Sequence, residues 1–126
     1  MPDPIAQFAD AKYLNLETFR KSGAGVRTPV WFAQPPNERR FYVYSEADAG
    51  KVKRIRNNPR VRVAPCNFRG EVKGTWVDAS ARICGTDEAA QGQRLLRHKY
   101  GWQKRLGDFF AGLLRHNNSV LAIEFS

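Results

Sequence analysis

The stretch of the sequence best suited to chemistry is a run of positive charge. The twelve residues from Lys51 to Arg62, KVKRIRNNPRVR, hold six of the 21 lysines and arginines and no acidic residue. They come shortly after the strand-like sequence FYVYS, which places the charges near a junction between a strand and a helix. Clustered cations bind phosphates and carboxylates through charge-assisted hydrogen bonds, although such a run can also simply keep a helix face solvated.

The chain as a whole is also positive, with a net charge of +9 over 126 residues. A charge of this size attracts polyanions over long range, so nucleic acid, anionic lipid and phosphorylated small molecules are the candidate ligand classes. The length and a hydrophobic content of 42% fit one domain, residues 1–126, with a single core.

Several kinds of site are missing from the sequence. The cysteines and histidines, Cys66, Cys84, His98 and His116, lack zinc-ligand spacing, and both cysteines are expected in the core or sheet. No P-loop, dinucleotide-binding turn, nucleophile elbow or zinc-protease motif occurs. Neither a membrane-spanning run nor a signal peptide is found, which predicts a cytoplasmic protein. We therefore expect no catalytic or metal-binding side chain, and any chemistry would belong to a bound cofactor.

Six segments have the alternating hydrophobicity of strands, separated by turn sequences such as KSGAG and QPPNE. Pro29, inside the second segment, indicates a sheet edge or a bulge. Six short strands with few helices predict a mainly β protein, a small antiparallel β-barrel with helical additions. The predicted strands are Lys12–Phe19, Val26–Ala33, Arg40–Ser45, Arg60–Cys66, Thr75–Cys84 and Val120–Phe125.

A short helix is predicted from about Glu46 to Asn57. Ser45 and Asp48 match a capping box, and Val52 and Ile55 recur at helical spacing. Free N–H groups at the helix start would favour a phosphate, whereas the acids there would repel one if they faced it. The helix places four cations in two pairs, one on each flank of the apolar stripe: Lys51 with Arg54, and Lys53 with Arg56.

A second helix is predicted over Asp87–Tyr100, and an apolar stripe at helical spacing lies beyond it. The stripe, which needs a partner surface, consists of Leu106, Phe109, Phe110, Leu113 and Leu114. A second basic group is expected on the solvent side of these helices: Arg94, Arg97, Lys99, Lys104 and Arg105.

Two tryptophans are candidates for ligand contact. Trp31 and Trp76 are predicted on the strand faces opposite the aliphatic side chains. An indole in that position either covers a subunit interface or stacks on a flat ligand.

Most of the chain resembles a known family. The sequence GKVKRIRNNPRVRVAPC, at Gly50–Cys66, is similar to the pyridoxamine-phosphate-oxidase-like split β-barrel proteins, and so are YLNLETFRKSGAGVRTPVWFA, FYVYSEADAG, GTWVDASARI and KYGWQKRL. Within that family the sequence resembles the group that depends on the deazaflavin coenzyme F420. The resemblance implies a six-stranded antiparallel split β-barrel of the FMN-binding type. It also implies a homodimer with flavin or deazaflavin bound in clefts between the chains.

The resemblance further implies which residues would bind the cofactor. A strand would lie along the ring system: Arg27, Thr28, Pro29, Val30 and Trp31. Tyr44 and Ser45 would lie between ring and phosphate, and Lys51 would bind the phosphate. Lys53, Arg54 and Arg56 would face the phosphate or the glutamate tail of the deazaflavin, and Trp76 would lie near the ring.

The implied activity is hydride transfer between the bound cofactor and an organic small-molecule substrate. The long positive run favours F420 over FMN, because the glutamate tail adds carboxylates to the phosphate. The vitamin-making oxidases have a further C-terminal segment that is absent after Ser126, so pyridoxamine phosphate oxidation is not expected. The alternatives are a protein that binds flavin, deazaflavin, haem or bilin without turnover, and a barrel that binds single-stranded nucleic acid.

Overall fold

The computed structural model describes residues 3–46, 50–100 and 118–125. It contains a closed antiparallel barrel with the strand order β1-β2-β3-β6-β5-β4, so the predicted mainly β fold of six strands is confirmed. The strands are β1 (Tyr13–Phe19), β2 (Gly25–Ala33), β3 (Arg40–Glu46), β4 (Arg60–Cys66), β5 (Val77–Ile83) and β6 (Asn118–Glu124). A short 3₁₀ helix (Pro4–Phe8) precedes them, and the α-helices are α1 (Gly50–Asn57) and α2 (Thr86–Tyr100).

The barrel has a seam between β2 and β3. Strand β2 pairs with β1 from Gly25 to Trp31. It pairs with β3 only through Phe32 and Ala33. Pro29 therefore lies where β2 has one strand neighbour among the described residues, which confirms the predicted edge position and means that its missing N–H interrupts no second ladder.

Aromatic rings fill the barrel interior. Phe8, Phe32 and Phe41 are all buried, and the Phe41 ring centroid lies 5.0 Å from that of Phe8 and 4.9 Å from that of Phe32. Val52 and Ile55 of α1 join the same core cluster, as their helical spacing predicts. Because these two side chains are fixed in the core, α1 is held against the barrel and its charged flanks are held in place.

Helix α2 packs on the outer side of the barrel. Its Leu96 is buried with Tyr44 of β3. Gly92 lies so close to the sheet that an added Cβ would come within 2.8 Å of Val120 Cγ1 and 3.1 Å of the Tyr42 ring. A glycine is therefore required at this crossing.

The start of α2 is tied to the barrel by a polar network centred on Glu88. Arg40 Nη1 lies 3.0 Å from Glu88 Oε2, and the Tyr42 hydroxyl donates to the same oxygen at 3.1 Å. Arg82 forms an ion pair with both Glu88 and Glu124. The hydrogen bond from Arg82, followed by that from Tyr42, lowers the pKa of Glu88 to about 2.

Two predicted element starts were wrong. Glu46 belongs to β3, where it pairs with Asn118, so α1 begins at Gly50 rather than Glu46. Thr75 precedes β5 because its N–H donates to Gln7 Oε1 at 2.9 Å instead of joining the sheet. The predicted capping residue and the C-terminal features lie outside the described residues: Asp48, Trp102, Lys104, Arg105, Leu106, Phe109, Phe110, Leu113, Leu114 and His116.

Within the ranges described, no helix has both the length and the apolar character needed to cross a membrane. The two cysteines are unpaired, with Cys66 buried in β4 and Cys84 half-buried just after β5, as expected for core or sheet residues.

Candidate functional site

A cleft opens at the seam, where β2 and β3 separate. The two strands are paired at Phe32 and Val43, and the next residues along, Trp31 and Tyr44, both line the cleft. Its volume is about 280 Å³. The described lining residues are Tyr13, Pro29, Val30, Trp31, Tyr44 and Lys51.

Aromatic side chains form most of the cleft wall. Tyr13 is paired with Trp31 in the β1–β2 register, and their ring centroids are 6.4 Å apart with 35° between the planes. Tyr44 is almost fully buried and forms a small cluster with Leu96. Trp31 is partly buried and packs against this cluster. Rings that are held by packing on one side can present their other surfaces to a flat ligand at little entropic cost.

Lys51 supplies positive charge to the cleft. It precedes Val52, whose burial in the core fixes the first turn of α1 beside the seam. The predicted two flanks of α1 differ in exposure: Lys51 and Arg54 are half-buried, whereas Lys53 and Arg56 are exposed. An ammonium beside an aromatic wall is suited to an anionic group attached to a ring.

Arg54 continues the positive flank away from the cleft. Its Nε donates to Thr18 Oγ1 at 2.6 Å. Burial, and to a lesser degree the nearby Arg20, lower the pKa of Arg54 from its ordinary value. Among the described residues, no carboxylate lies within ion-pair distance of Arg54 or Arg20. A second cavity of about 320 Å³ adjoins this region, lined by Phe19, Arg20, Lys21, Gly23, Asn57 and Asn58.

Arg27 and Trp76 belong to a different cluster, on the outer face of β1, β2 and β4. Glu17 is only 6% exposed and accepts hydrogen bonds from Arg27 Nε at 2.9 Å and from Arg62 Nη1 at 3.2 Å. The two guanidinium carbons lie 4.7 and 5.1 Å from the centroid of the Trp76 ring. The indole and both cations are thus held by one another and by a buried carboxylate.

Five of the predicted cofactor-binding residues therefore come together at one cleft: Pro29, Val30, Trp31, Tyr44 and Lys51. The other seven lie outside the described cleft lining. Thr28 is half-buried and paired with Leu16, and Ser45 is buried in β3. The remaining five are placed as described above: Arg27, Lys53, Arg54, Arg56 and Trp76. Tyr13 was missed, because only the β1–β2 register shows that it faces Trp31.

The cleft has the chemistry of a binding site. Its described lining contains no carboxylate, imidazole or thiol. No group of three or more metal-ligating side chains occurs in the described part of the chain. The residues present can hold and orient a flat anionic molecule but supply no metal centre.

Solved structures from several bacteria share this fold. A conserved hypothetical protein of Mycobacterium tuberculosis is 16% identical with a TM-score of 0.72, covering 98% of this chain and 79% of that one. The haem storage protein of Vibrio cholerae is 16% identical with a TM-score of 0.66, covering 93% and 83%. A Clostridium acetobutylicum protein of the pyridoxinephosphate oxidase family is 11% identical with a TM-score of 0.67, covering 94% and 78%. At these identities the similarity shows the fold alone.

The family model described as pyridoxamine 5'-phosphate oxidase matches residues 1–125. No curated protein sequence matches. The match includes all six strands and every lining residue of the cleft, and it confirms the resemblance seen around Gly50–Cys66. On this evidence the chain belongs to the pyridoxamine 5'-phosphate oxidase family.

Proposed function

We propose that the protein is a homodimeric oxidoreductase that binds the deazaflavin coenzyme F420, with FMN as the alternative cofactor. The observation that carries this proposal is the convergence of Tyr13, Trp31, Tyr44 and Lys51 on one cleft. Three aromatic side chains suit a planar ring system, and one ammonium suits the phosphate attached to it.

The size of the cleft supports a second chain at the site. Pockets for molecules of cofactor size usually enclose roughly 300–1,000 Å³. The cleft that the described residues of one chain form measures about 280 Å³, so a ring with its phosphate would need more wall than these residues supply. A second copy placed over the seam would supply it, in agreement with the homodimer that the family resemblance implies.

The choice of F420 over FMN rests on Arg54 and its neighbours. Lys51 and Arg54 share one flank of α1, and Arg20 lies close enough to Arg54 to lower its pKa. Arg54 and Arg20 have no carboxylate within ion-pair distance among the described residues, so they would attract further anionic groups. The phosphate of F420 would bind Lys51 and its glutamate carboxylates would lie near Arg54. FMN has only the phosphate and would bind Lys51 alone.

The chain's own residues would bind and orient rather than react. When bound, the cofactor supplies a ring carbon or nitrogen that gives or accepts hydride. Trp31 and Tyr13 would set the position of the ring, Lys51 would hold the phosphate, and the aromatic wall would exclude water from one ring face. A substrate would then reach the remaining face, so the accepted substrate would depend on the shape of the open side.

Haem is the second candidate ligand, because the fold is shared with a haem storage protein of Vibrio cholerae and a haem-binding protein of Mycobacterium smegmatis. Two tyrosines, Tyr13 and Tyr44, line the cleft in this chain. The described lining contains no histidine, cysteine or methionine. Tyrosine is a known but less common axial ligand of haem iron. A haem bound here would therefore show a tyrosinate-type absorption spectrum.

The testing experiment is a titration of cofactor-free protein with F420, FMN and haem, at low and high salt, together with light scattering for the oligomeric state. We expect F420 to bind more tightly than FMN, and dimers to form. Binding of haem alone would favour a haem-binding protein without turnover. An affinity for oligonucleotides that falls steeply with salt would favour a barrel that binds single-stranded nucleic acid. Turnover with the reduced cofactor and a substrate panel separates an enzyme from a carrier.

A further inference from the structure

Lys99 is half-buried and its amine turns toward the barrel, although it was predicted with Arg94 and Arg97 on the solvent side of α2. Those two arginines are exposed, as predicted. The Nζ of Lys99 donates to the carbonyl oxygens of Ala11 at 3.1 Å and Phe32 at 2.9 Å, and it lies 3.6 Å from the centroid of the Phe32 ring. Burial lowers the pKa of Lys99 to about 8. The prediction for Lys99 was wrong because its side chain turns inward from the edge of the helix.

The two carbonyls flank the end of the β1–β2 ladder. The β1–β2 register ends with the pair Tyr13 and Trp31. Ala11 lies in the segment before β1, two residues ahead of Tyr13, and Phe32 directly follows Trp31 in β2. The amine of Lys99 thus bridges the two backbones immediately beyond the last strand pair, where regular ladder hydrogen bonds end.

Burying an ammonium group is costly, and an aliphatic side chain could fill the same space. What an amine adds is direction, since it can bond two carbonyls at once. Tyr13 lies two residues after Ala11, and Trp31 lies one residue before Phe32. Both are among the three aromatic residues described in the cleft lining. Helix α2 also supports Trp31 and Tyr44 through Leu95 and Leu96.

We infer that Lys99 is a positioning residue for the cleft: by bridging the Ala11 and Phe32 carbonyls it sets the spacing of the Tyr13 and Trp31 rings. The inference rests on the proposed function in so far as those rings bind a planar cofactor. The two hydrogen bonds from Lys99 do not depend on a bound cofactor, so their role can be tested separately.

The test compares Lys99→Met, which keeps an apolar stem and loses the amine, with Arg97→Met, which removes one positive charge from an exposed position on the same helix. Amide hydrogen exchange is measured without ligand, and F420 and FMN affinities are measured by fluorescence titration. In Lys99→Met we expect exchange to quicken around residues 11–14 and 30–33 and cofactor affinity to fall about tenfold, because misplaced contacts bind less well. Arg97→Met should match the unmodified protein in both measurements.

Equal exchange at the ladder end and equal affinity in the two variants would overturn the inference. If the unmodified protein binds neither cofactor, the proposed function fails, and the exchange rates of the ligand-free proteins alone decide the role of Lys99. Should Lys99→Met not fold, Lys99→Gln replaces it. That variant keeps a hydrogen-bond donor on a shorter side chain. We therefore expect exchange to quicken in the same segments and cofactor affinity to fall, each by about threefold.

Discussion

Trp31 and Tyr44 lie one residue beyond the last paired residues of β2 and β3, Phe32 and Val43, and both line the cleft. The separation of the two strands at this point opens the site between them. The aromatic residues nearest the end of the ladder are therefore held by sheet hydrogen bonds on one side and line the cleft on the other.

The role of Trp31 can be tested against that of Trp76. Trp31→Ala removes a ring from the cleft wall, and we expect cofactor binding to weaken by about 1–2 kcal/mol through lost stacking and burial. Trp76→Ala alters the cluster with Arg27 and Arg62, outside the cleft lining, and should change affinity little. Titration of both variants checks this. An equal loss in Trp76→Ala would place Trp76 in the site, as the family resemblance implies.

Lys51 and Lys53 form a matched pair on α1. Lys51 lines the cleft, whereas Lys53 is exposed on the other flank. We expect Lys51→Ala to weaken F420 and FMN binding alike by about 1–3 kcal/mol, the range for a lost hydrogen bond to a charged group. Lys53→Ala should leave both affinities nearly unchanged at moderate salt. Identical affinities for the two variants would remove Lys51 from the phosphate site.

Arg54 should distinguish the two cofactors. If glutamate carboxylates reach it, Arg54→Gln weakens F420 binding by about 1–2 kcal/mol and leaves FMN unaffected. Arg56→Gln, which changes an exposed cation of the same helix, is the control. The titrations should include the deazaflavin without its tail, which we expect to bind both variants equally. A loss of FMN affinity in Arg54→Gln would instead place Arg54 at the phosphate.

Glu17 should matter for stability more than for binding. It is buried between Arg27 and Arg62, so Glu17→Gln leaves two cations without their counterion. We expect a loss of about 2–4 kcal/mol in the free energy of unfolding, measured with urea. Asp78→Asn is the control, because Asp78 is exposed and lies 4.0 Å from Arg60 and Arg62. It should cost less than about 1 kcal/mol.

Acid should release the Glu88 network. The pKa of Glu88 is lowered from 4.5 to about 2, so its stabilisation is complete above pH 4.5 and is lost as the pH falls toward 2. Because Glu88 is partly exposed, we expect it to contribute about 1–3 kcal/mol. Urea unfolding at about pH 6 and about pH 3 should show the difference between the unmodified protein and Glu88→Gln shrinking in acid. Asp87→Asn, one residue earlier on α2, is the matched control.

The sequence predicted most strongly what depends on neighbours along the chain. Alternation located every strand, and helical spacing located Val52 and Ile55, because burial of one face imposes those periods. Features that depend on distant contacts were missed. Glu46 continues β3 because Asn118 pairs with it, and Tyr13 reaches the cleft through its partner Trp31. Lys99 turns inward to one carbonyl just before β1 and one in β2.

The seam also bears on how such a protein can change over evolution. Along Gly25–Val30, β2 pairs with β1 alone among the described residues, so its other edge presents main-chain groups toward the side where the cleft opens. Peptide N–H and C=O groups are the same whatever side chain they carry. Recognition through them would survive extensive substitution of side chains, of the extent seen at the 11–16% identity over which this fold is shared.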